Sequence, residues 1–168
     1  MKMGGFSPGG SAMPPTIRRA TPDDLTSVLA LLTLYYNEWQ IQQRDDEPTV
    51  AAKLQHAPLG YFLAFIDNEP AGCVMLRDLP NIPSAAEPSA ECKRLYVAPA
   101  FRGHRLANLL MDAAESTART AGYHWLYLDS AAEFTTAIAL YRRRGYLEIP
   151  RFNDNPQATI FMRLALTA

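Results

Sequence analysis

The sequence predicts a mixed α/β (α+β) domain, in which helices cover a single, mostly antiparallel sheet of about seven strands. Two observations lead to this prediction. Short apolar runs bounded by Pro, Gly or Asn alternate with longer segments whose apolar residues recur at helical spacing. Their order is a strand, helices, three strands of antiparallel type, a helix, a strand, a helix and two strands. With 168 residues, the chain is long enough for one domain with its own core.

The first half of the chain begins with residues 1–15, which are rich in Gly, Ser and Pro. This composition predicts a flexible tail, followed by one domain over 16–168. A strand is predicted over 16–20. The sequence TPDD that follows it should start a helix, because Thr caps well, Pro suits the first helical position and acids suit the first turn. The apolar face of this helix carries Leu25, Val28, Leu29, Leu32, Tyr35, Tyr36 and Trp39.

A short helix up to about Gln55 and a β-hairpin complete the first half. The two strands of the hairpin are predicted over 60–66 and 71–76, around the turn sequence DNEP. Prolines between Asp78 and Ser89 then predict a loop.

The second half contains four more strands and two more helices. A strand over 91–97 should stop at Pro99, and apolar residues at helical spacing then predict a helix that ends at Gly122. The remaining predictions are a strand over 125–129, a helix over 134–144 that stops at Gly145, and strands over 146–149 and 158–166.

The composition excludes several classes of protein. It is globular, with 48% hydrophobic and 20% charged residues, and the net charge of −1 predicts neither nucleic acid nor membrane as a partner. No apolar run could span a bilayer and the N-terminus lacks an apolar signal core, so we expect a cytoplasmic protein. Cys73 and Cys92 lie in predicted strands and should be reduced, and the three scattered histidines predict no metal site.

The junction between strand and helix at residues 95–110 is the predicted ligand site. The first helical N–H groups have no partner within the helix, and the helix dipole adds partial positive charge there. Gly103 lets the backbone approach a ligand closely, while Arg102 and Arg105 could contact phosphate. Such a junction is also common as a purely structural connection, so it leaves both interpretations open. It is neither a Walker loop nor a dinucleotide fingerprint, because the required Gly-Lys-Ser/Thr or three glycines are absent.

The run KRLYVAPAFRGHRLA over 93–107 resembles motif A of the GNAT superfamily of N-acetyltransferases. The core pattern of that motif is Arg/Gln-x-x-Gly-x-Gly/Ala. Arg102 matches its first position and Ala107 its last, while Arg105 replaces the middle glycine. The segment from 126 to 146 is similar to the second half of the family's cofactor region, although Phe134 stands where an Asn is common.

The resemblance implies the acyl-CoA N-acyltransferase fold, with about four helices and a splayed central pair of parallel strands. It also implies acetyl-CoA as cosubstrate, no metal, and direct, sequential transfer of acetyl to a primary amine of a small molecule or peptide. The pantetheine arm would lie in the splay, beside the main chain of Leu95, Tyr96 and Val97. The diphosphate would bind the amides of Arg102, Gly103, His104, Arg105, Leu106, Ala107 and Asn108.

The same resemblance proposes catalytic and substrate-binding residues. Tyr141 would contact the cofactor and protonate the leaving thiolate, or else it packs on the sheet as an ordinary aromatic. Glu91 would be the base that accepts the proton of the amine, directly or through water, or else an exposed acid at a strand end. Tyr36, Trp39 and Phe152 would line the acceptor pocket, or else they are core aromatics.

Two other functions stay open at this level. The chain could be a non-catalytic sensor that binds acyl-CoA on the same fold, a reading that the departures at Arg105 and Phe134 favour. It could also be an unrelated α/β domain in which the turn at Gly103 is only structural. Dimers are common in the family, so a homodimer is an additional possibility.

Overall fold

The computed structural model describes residues 13–80 and 88–167, and in these residues it confirms the predicted fold class. The strands are β1 (Thr16–Arg19), β2 (Gly60–Ile66), β3 (Glu69–Asp78), β4 (Ser89–Val97), β5 (Trp125–Ser130), β6 (Leu147–Glu148) and β7 (Ile160–Ala165). The helices are α1 (Leu25–Glu38), α2 (Glu47–Leu54), α3 (Leu106–Thr120) and α4 (Thr135–Arg143). Residues 1–12 of the predicted tail and residues 81–87 of the predicted loop lie outside the described part.

The strands form one sheet in the order β1-β2-β3-β4-β5-β7-β6. All neighbouring strands are antiparallel except β4 and β5, which are parallel. Their pairing is short and joins only 89–91 of β4 to 125–127 of β5. Beyond Glu91 and Tyr127 the two strands continue without pairing to each other, so a wedge opens in the middle of the sheet. This wedge is the predicted splay.

The two faces of the sheet carry separate apolar clusters. On one face α3 and α4 pack through Leu110, Met111 and Leu140 against residues of β2 to β5. On the other face α1 and α2 pack through residues such as Leu32 and Val50. Each helix therefore buries its apolar side on the sheet, and the ends of α1, α3 and α4 come to the open wedge.

The start of α1 follows the predicted capping pattern with one difference. The side chains and backbones of Thr21 and Asp24 form a capping box, but the three residues Pro22–Asp24 make a 3₁₀ turn before α1 begins at Leu25. A bidentate ion pair joins Asp24 to Arg18, with the shorter contact at 2.7 Å, and lowers the pKa of this carboxyl to about 2. The turn is thus fastened to β1.

Helices α3 and α4 end in the same way, as their glycines predict. The amide of Tyr123 donates to the oxygen of Ala118, and that of Gly122 to Arg119. At the end of α4, the amide of Tyr146 donates to the oxygen of Tyr141, and that of Gly145 to Arg142. The two glycines have φ values of +89° and +94°, which other residues adopt at a cost. This is the Schellman motif, in which a glycine satisfies the last free carbonyls of a helix.

Among the described residues, no helix is both long and apolar enough to cross a membrane.

Candidate functional site

The wedge between β4 and β5 opens into a cleft of about 550 Å³. One side of the cleft is formed by β4 from Cys92 to Val97 and by the first turn of α3. The opposite side comes from the end of β5, the loop after it and α4, and the end of α1 closes the top. The cleft thus begins where the pairing of the two central strands ends.

The first turn of α3 presents a row of unpaired amides to this cleft. The first backbone hydrogen bond at this end of the helix runs from the amide of Leu109 to the oxygen of Arg105, at 3.2 Å. The amides of residues 103–108 donate to no other described residue, and no side chain caps the helix. Backbone donors at a helix start, together with the helix dipole, make a site for an anion such as phosphate.

Arg105 is the residue before α3 and adopts a left-handed conformation, with φ +58° and ψ +23°. Gly103 also has a positive φ, of +89°. These two residues turn the chain from the end of β4 into the helix. The left-handed conformation costs a residue with a side chain about 1–2 kcal/mol, which glycine avoids. Arg105 therefore holds a conformation that favours glycine, at an energetic cost.

Arg102 lines the cleft but already has a partner. Its guanidinium bonds both carboxylate oxygens of Glu38, at 2.7 and 2.9 Å, and its Nε donates to the oxygen of Val97. The hydroxyl of Tyr96 also donates to Glu38, at 2.6 Å. Arg102 thereby ties the end of α1 to the end of β4. A phosphate bound here would have to share the guanidinium with Glu38.

Strand β4 contains a bulge beside the cleft. Tyr96 pairs with Cys73 and Lys93 pairs with Met75, so β4 has one more residue than β3 across this interval. Arg94, in the bulge, has a φ of +60°. A bulge takes backbone groups out of the ladder and re-aims side chains. The sequence carries no signal for it, because an arginine with positive φ has no distinctive pattern.

Tyr141 of α4 lines the cleft and is buried. Its hydroxyl makes no hydrogen bond to another described residue, and burial raises the pKa of its phenol. The ring centroid lies 5.7 Å from that of Tyr146. The side chain therefore both packs in the core and carries a protonated, unengaged donor at the cleft wall.

Asp129, a residue that sequence reasoning missed, lies at the end of β5 where the wedge is open. Its Oδ2 accepts from Lys93 at 3.4 Å, from Asn153 at 2.7 Å and from Asn155 at 3.3 Å. Its Oδ1 accepts nothing from the described residues. Asp129 and Lys93 thus face each other across the wedge and both line the cleft. The available signal was an acid at the end of a central strand, next to the predicted splay.

Glu91 was expected either at the cleft or exposed at a strand end, and the structure shows neither position. Its side chain is 0% exposed and lies at the last paired position of β4, outside the cleft wall. Arg77 donates to Glu91 Oε2 at 2.7 Å, and Lys93 lies 3.4 Å from Oε1. The side chain of Glu91 is connected to the cleft through Lys93, which does line it.

Three further predicted residues also lie away from the cleft wall. Tyr36 is buried behind Arg94, and its hydroxyl accepts from the amide of Asp45. Phe152 packs between the rings of Tyr127 and Phe161. His104 is exposed in the turn before α3 and its side chain does not face the cleft.

The other predicted residues do line the cleft. Trp39 packs edge-on against Phe134, with their ring centroids 4.6 Å apart. The remaining cleft residues from the prediction are Leu95, Tyr96, Val97, Arg102, Gly103, Arg105, Leu106, Ala107, Asn108 and Tyr141. The tertiary structure therefore brings the two separate motif segments to one cavity.

Neither cysteine is a nucleophile in this arrangement. Cys73 and Cys92 are both free and buried. Burial raises the pKa of Cys73 to about 12, and it also raises the pKa of Cys92. Both therefore stay protonated at neutral pH. Among the described residues, no group of three or more His, Cys, Asp or Glu side chains is arranged to hold a metal ion.

Comparisons with known proteins agree with this geometry. The model of the acetyltransferase (GNAT) family matches residues 25–146. The aminoalkylphosphonate N-acetyltransferase of Salmonella typhimurium is 32% identical over 77% of the chain and 83% of its own length. An uncharacterised N-acetyltransferase of Dictyostelium discoideum is 33% identical over 45% of the chain, a match that spans only 36% of that relative. The structure of yncA from Salmonella typhimurium with its cofactor acetyl-CoA superposes with a TM-score of 0.74 at 18% identity, over 92% of this chain and 95% of that one.

The strain at Arg105 can be measured by comparing Arg105→Gly with Arg105→Ala. Both variants lose the guanidinium, but only glycine relieves the left-handed conformation. We expect the glycine variant to be about 1 kcal/mol more stable than the alanine variant in urea unfolding. Equal stabilities would contradict the left-handed geometry at this position.

Proposed function

Because the chain belongs to the GNAT acetyltransferase family, we propose that it transfers acetyl from acetyl-CoA directly to a primary amine of a small molecule or peptide. We place this activity in one domain over residues 16–168. The observation that carries the proposal is the row of free amides at the start of α3, beside an open wedge in the sheet. Because no side chain caps these amides, they stay available to a ligand.

The first turn of α3 would hold the diphosphate of acetyl-CoA. The amides of residues 103–108 would donate to its oxygens, and Arg105 and Arg143 are further cleft residues that could neutralise its charge. The main chain of Leu95, Tyr96 and Val97 would pair with the pantetheine arm, as an extra strand would. The thioester would then lie near the bulge of β4.

Transfer at this site needs no acylated protein group. The nitrogen of the acceptor attacks the thioester carbonyl, a C–N bond forms and the C–S bond breaks. A backbone N–H of the segment from Leu95 to Val97 would stabilise the charge that develops on the carbonyl oxygen. The amine loses one proton and the departing thiolate gains one, so the site must hold an acceptor and a donor for protons.

Tyr141 would donate the proton to the thiolate. A phenol has an ordinary pKa of about 10 and is protonated at neutral pH, and burial raises the pKa of Tyr141 further. Its hydroxyl is not engaged by other described residues. Asp129 takes over the role first expected of Glu91. Its free Oδ1 at the cleft wall can accept a hydrogen bond from the amine and orient the lone pair, while water carries the proton away.

The nature of the acceptor is supported by the shape of the cleft and by one relative. The whole cleft has a volume of about 550 Å³, which the acceptor would share with the pantetheine arm. The relative from Salmonella typhimurium is named for aminoalkylphosphonates, which are small amines. A small acceptor fits both facts.

Calorimetry tests the cofactor site directly. We expect acetyl-CoA to bind, and acetylpantetheine, which lacks the diphosphate, to bind at least about 100-fold more weakly because the amides of α3 then have no partner. A thiol-release assay over a panel of amines follows with the same protein. No heat with acetyl-CoA would contradict the proposal, and binding without transfer to any amine would favour the sensor function.

Tyr141→Phe tests the proton donor. We expect kcat to fall about 100-fold, since the thiolate would leave unprotonated, while the Kd of acetyl-CoA stays nearly the same. Tyr146→Phe is the matched control, because its phenol bonds Glu115 in the core and does not line the cleft. It should lower stability and leave kcat unchanged. An unchanged kcat in Tyr141→Phe would remove Tyr141 from the mechanism.

Asp129→Asn tests the group that orients the amine. We expect kcat/KM for the amine to fall about 10- to 100-fold with the Kd of acetyl-CoA preserved, because a charged hydrogen-bond acceptor is lost.

Glu91→Gln should lose stability and keep its activity. It breaks a buried ion pair and lowers the free energy of unfolding by roughly 3 kcal/mol, with little change in kcat/KM of the folded protein. If Glu91→Gln abolished turnover in a stable protein, the roles would have to be exchanged.

A further inference from the structure

Arg94 is a buried cation in the wall of the cleft with an unsatisfied donor. Its side chain is 12% exposed, and its Nε has no hydrogen-bond partner in the described structure. One terminal nitrogen, Nη2, donates to the oxygen of Gln43 at 3.1 Å. The guanidinium lies over the ring of Tyr36, 5.3 Å from its centroid. The Nε atom is itself closed off from solvent, so a ligand in the cleft would meet the terminal nitrogens of the guanidinium.

The charge of Arg94 is only partly balanced by the protein. The nearest acid is Asp45, whose Oδ2 lies 3.6 Å from Nε, beyond hydrogen-bond distance. The same oxygen accepts from Lys53 and from the hydroxyl of Tyr61, each at 3.2 Å. Two cations therefore share one carboxylate. Of these three charged groups only Arg94 lines the cleft, so the excess positive charge is presented there.

The lining of the cleft thus contains groups of both signs. Asp129 faces it with the unused Oδ1, and Arg94 faces it from the bulge of β4. Uncharged polar side chains, among them Gln43 and Gln157, line the space around them. A simple alkylamine would satisfy Asp129 and leave the excess positive charge of Arg94 without a counter-ion. An acceptor with an anionic group near its amine would satisfy both.

We propose that the acceptor is a short amine that also carries an oxyanion, a carboxylate or a phosphonate, and that Arg94 binds this anion. Arg94 is then the residue that determines specificity, while Asp129 holds the amine at the other end of the same molecule. The planar guanidinium suits both anions because it can donate two parallel hydrogen bonds. The proposal rests on the proposed acetyl transfer and specifies its acceptor.

A purely structural role for Arg94 predicts something different. Arg94 also fastens β4 to the loop after α1 through Gln43 and Asp45. If that were its whole role, its loss would lower the stability of the protein and affect all acceptors alike. The comparison of acceptors with and without an anion separates the two roles.

The experiment measures kcat/KM for four probes in the full-length protein: 2-aminoethylphosphonate, β-alanine, propylamine and ethanolamine. We expect at least one of the two anionic probes to be preferred over the neutral amines by about 100-fold, and the better one identifies the anion. Arg94→Met should abolish this preference, because kcat/KM falls much further for the anionic probes than for propylamine. Arg94→Lys should keep part of it, since the charge remains.

Arg119→Met is the matched control. Arg119 lies in the last turn of α3, at the end opposite the free amides, and does not line the cleft. It should retain the full preference. The proposal would be overturned if the wild type had equal kcat/KM for anionic and neutral probes, or if the preference survived in Arg94→Met. Neither result would contradict acetyl transfer itself.

A binding measurement decides the case in which none of the four probes is acetylated. In the presence of CoA, 2-aminoethylphosphonate or β-alanine should raise the Tm of the wild type more than propylamine does, and should lose this effect in Arg94→Met. Equal shifts for all probes would overturn the proposal. These results can be told apart from a failure of the proposed function, because in that case acetyl-CoA would give no heat in calorimetry.

Discussion

The short parallel pairing of β4 and β5 is the constraint on which the rest of the structure depends. The two strands pair only as far as Glu91 and Tyr127, and each then continues with its other neighbour. On both sides of the gap the strand is paired with its other neighbour. The wedge therefore cannot close by a shift of one strand alone. The wedge leaves the strand groups beside it free for a ligand, and it places the first turn of α3 and the end of α1 around one cavity.

A chain of charges connects the closed end of the wedge to its open end. Glu91 is buried at the last paired position, between Arg77 and Lys93. Lys93 reaches across the gap to Asp129, which Asn153 and Asn155 hold from the loop before β7. These contacts form one polar network. It connects the buried Glu91, through Lys93, to a cleft that the side chain of Glu91 does not line.

The same network shows the limits of prediction from the sequence. Element order, the two helix ends at Gly122 and Gly145, and the row of free amides before Leu109 are local features, and the sequence predicted them. Glu91 was expected in the cleft because it begins the strand that, by the family resemblance, faces the cleft. That resemblance does not tell where the pairing of the strand with its neighbour ends. Asp129 was missed for the same reason, since its importance comes from its position opposite Lys93.

By itself, the sequence determined the class of fold, the family and the helix start at which backbone amides are left free. These depend on interactions between residues close in the chain, such as caps, turns and helix starts, which short motifs encode. Only the tertiary structure decided which charges face the cleft. The left-handed bulge at Arg94, the burial of Glu91 and the meeting of Lys93 with Asp129 depend on strand register and on packing between segments far apart in the chain. The energies of these contacts appear only when the sheet has formed.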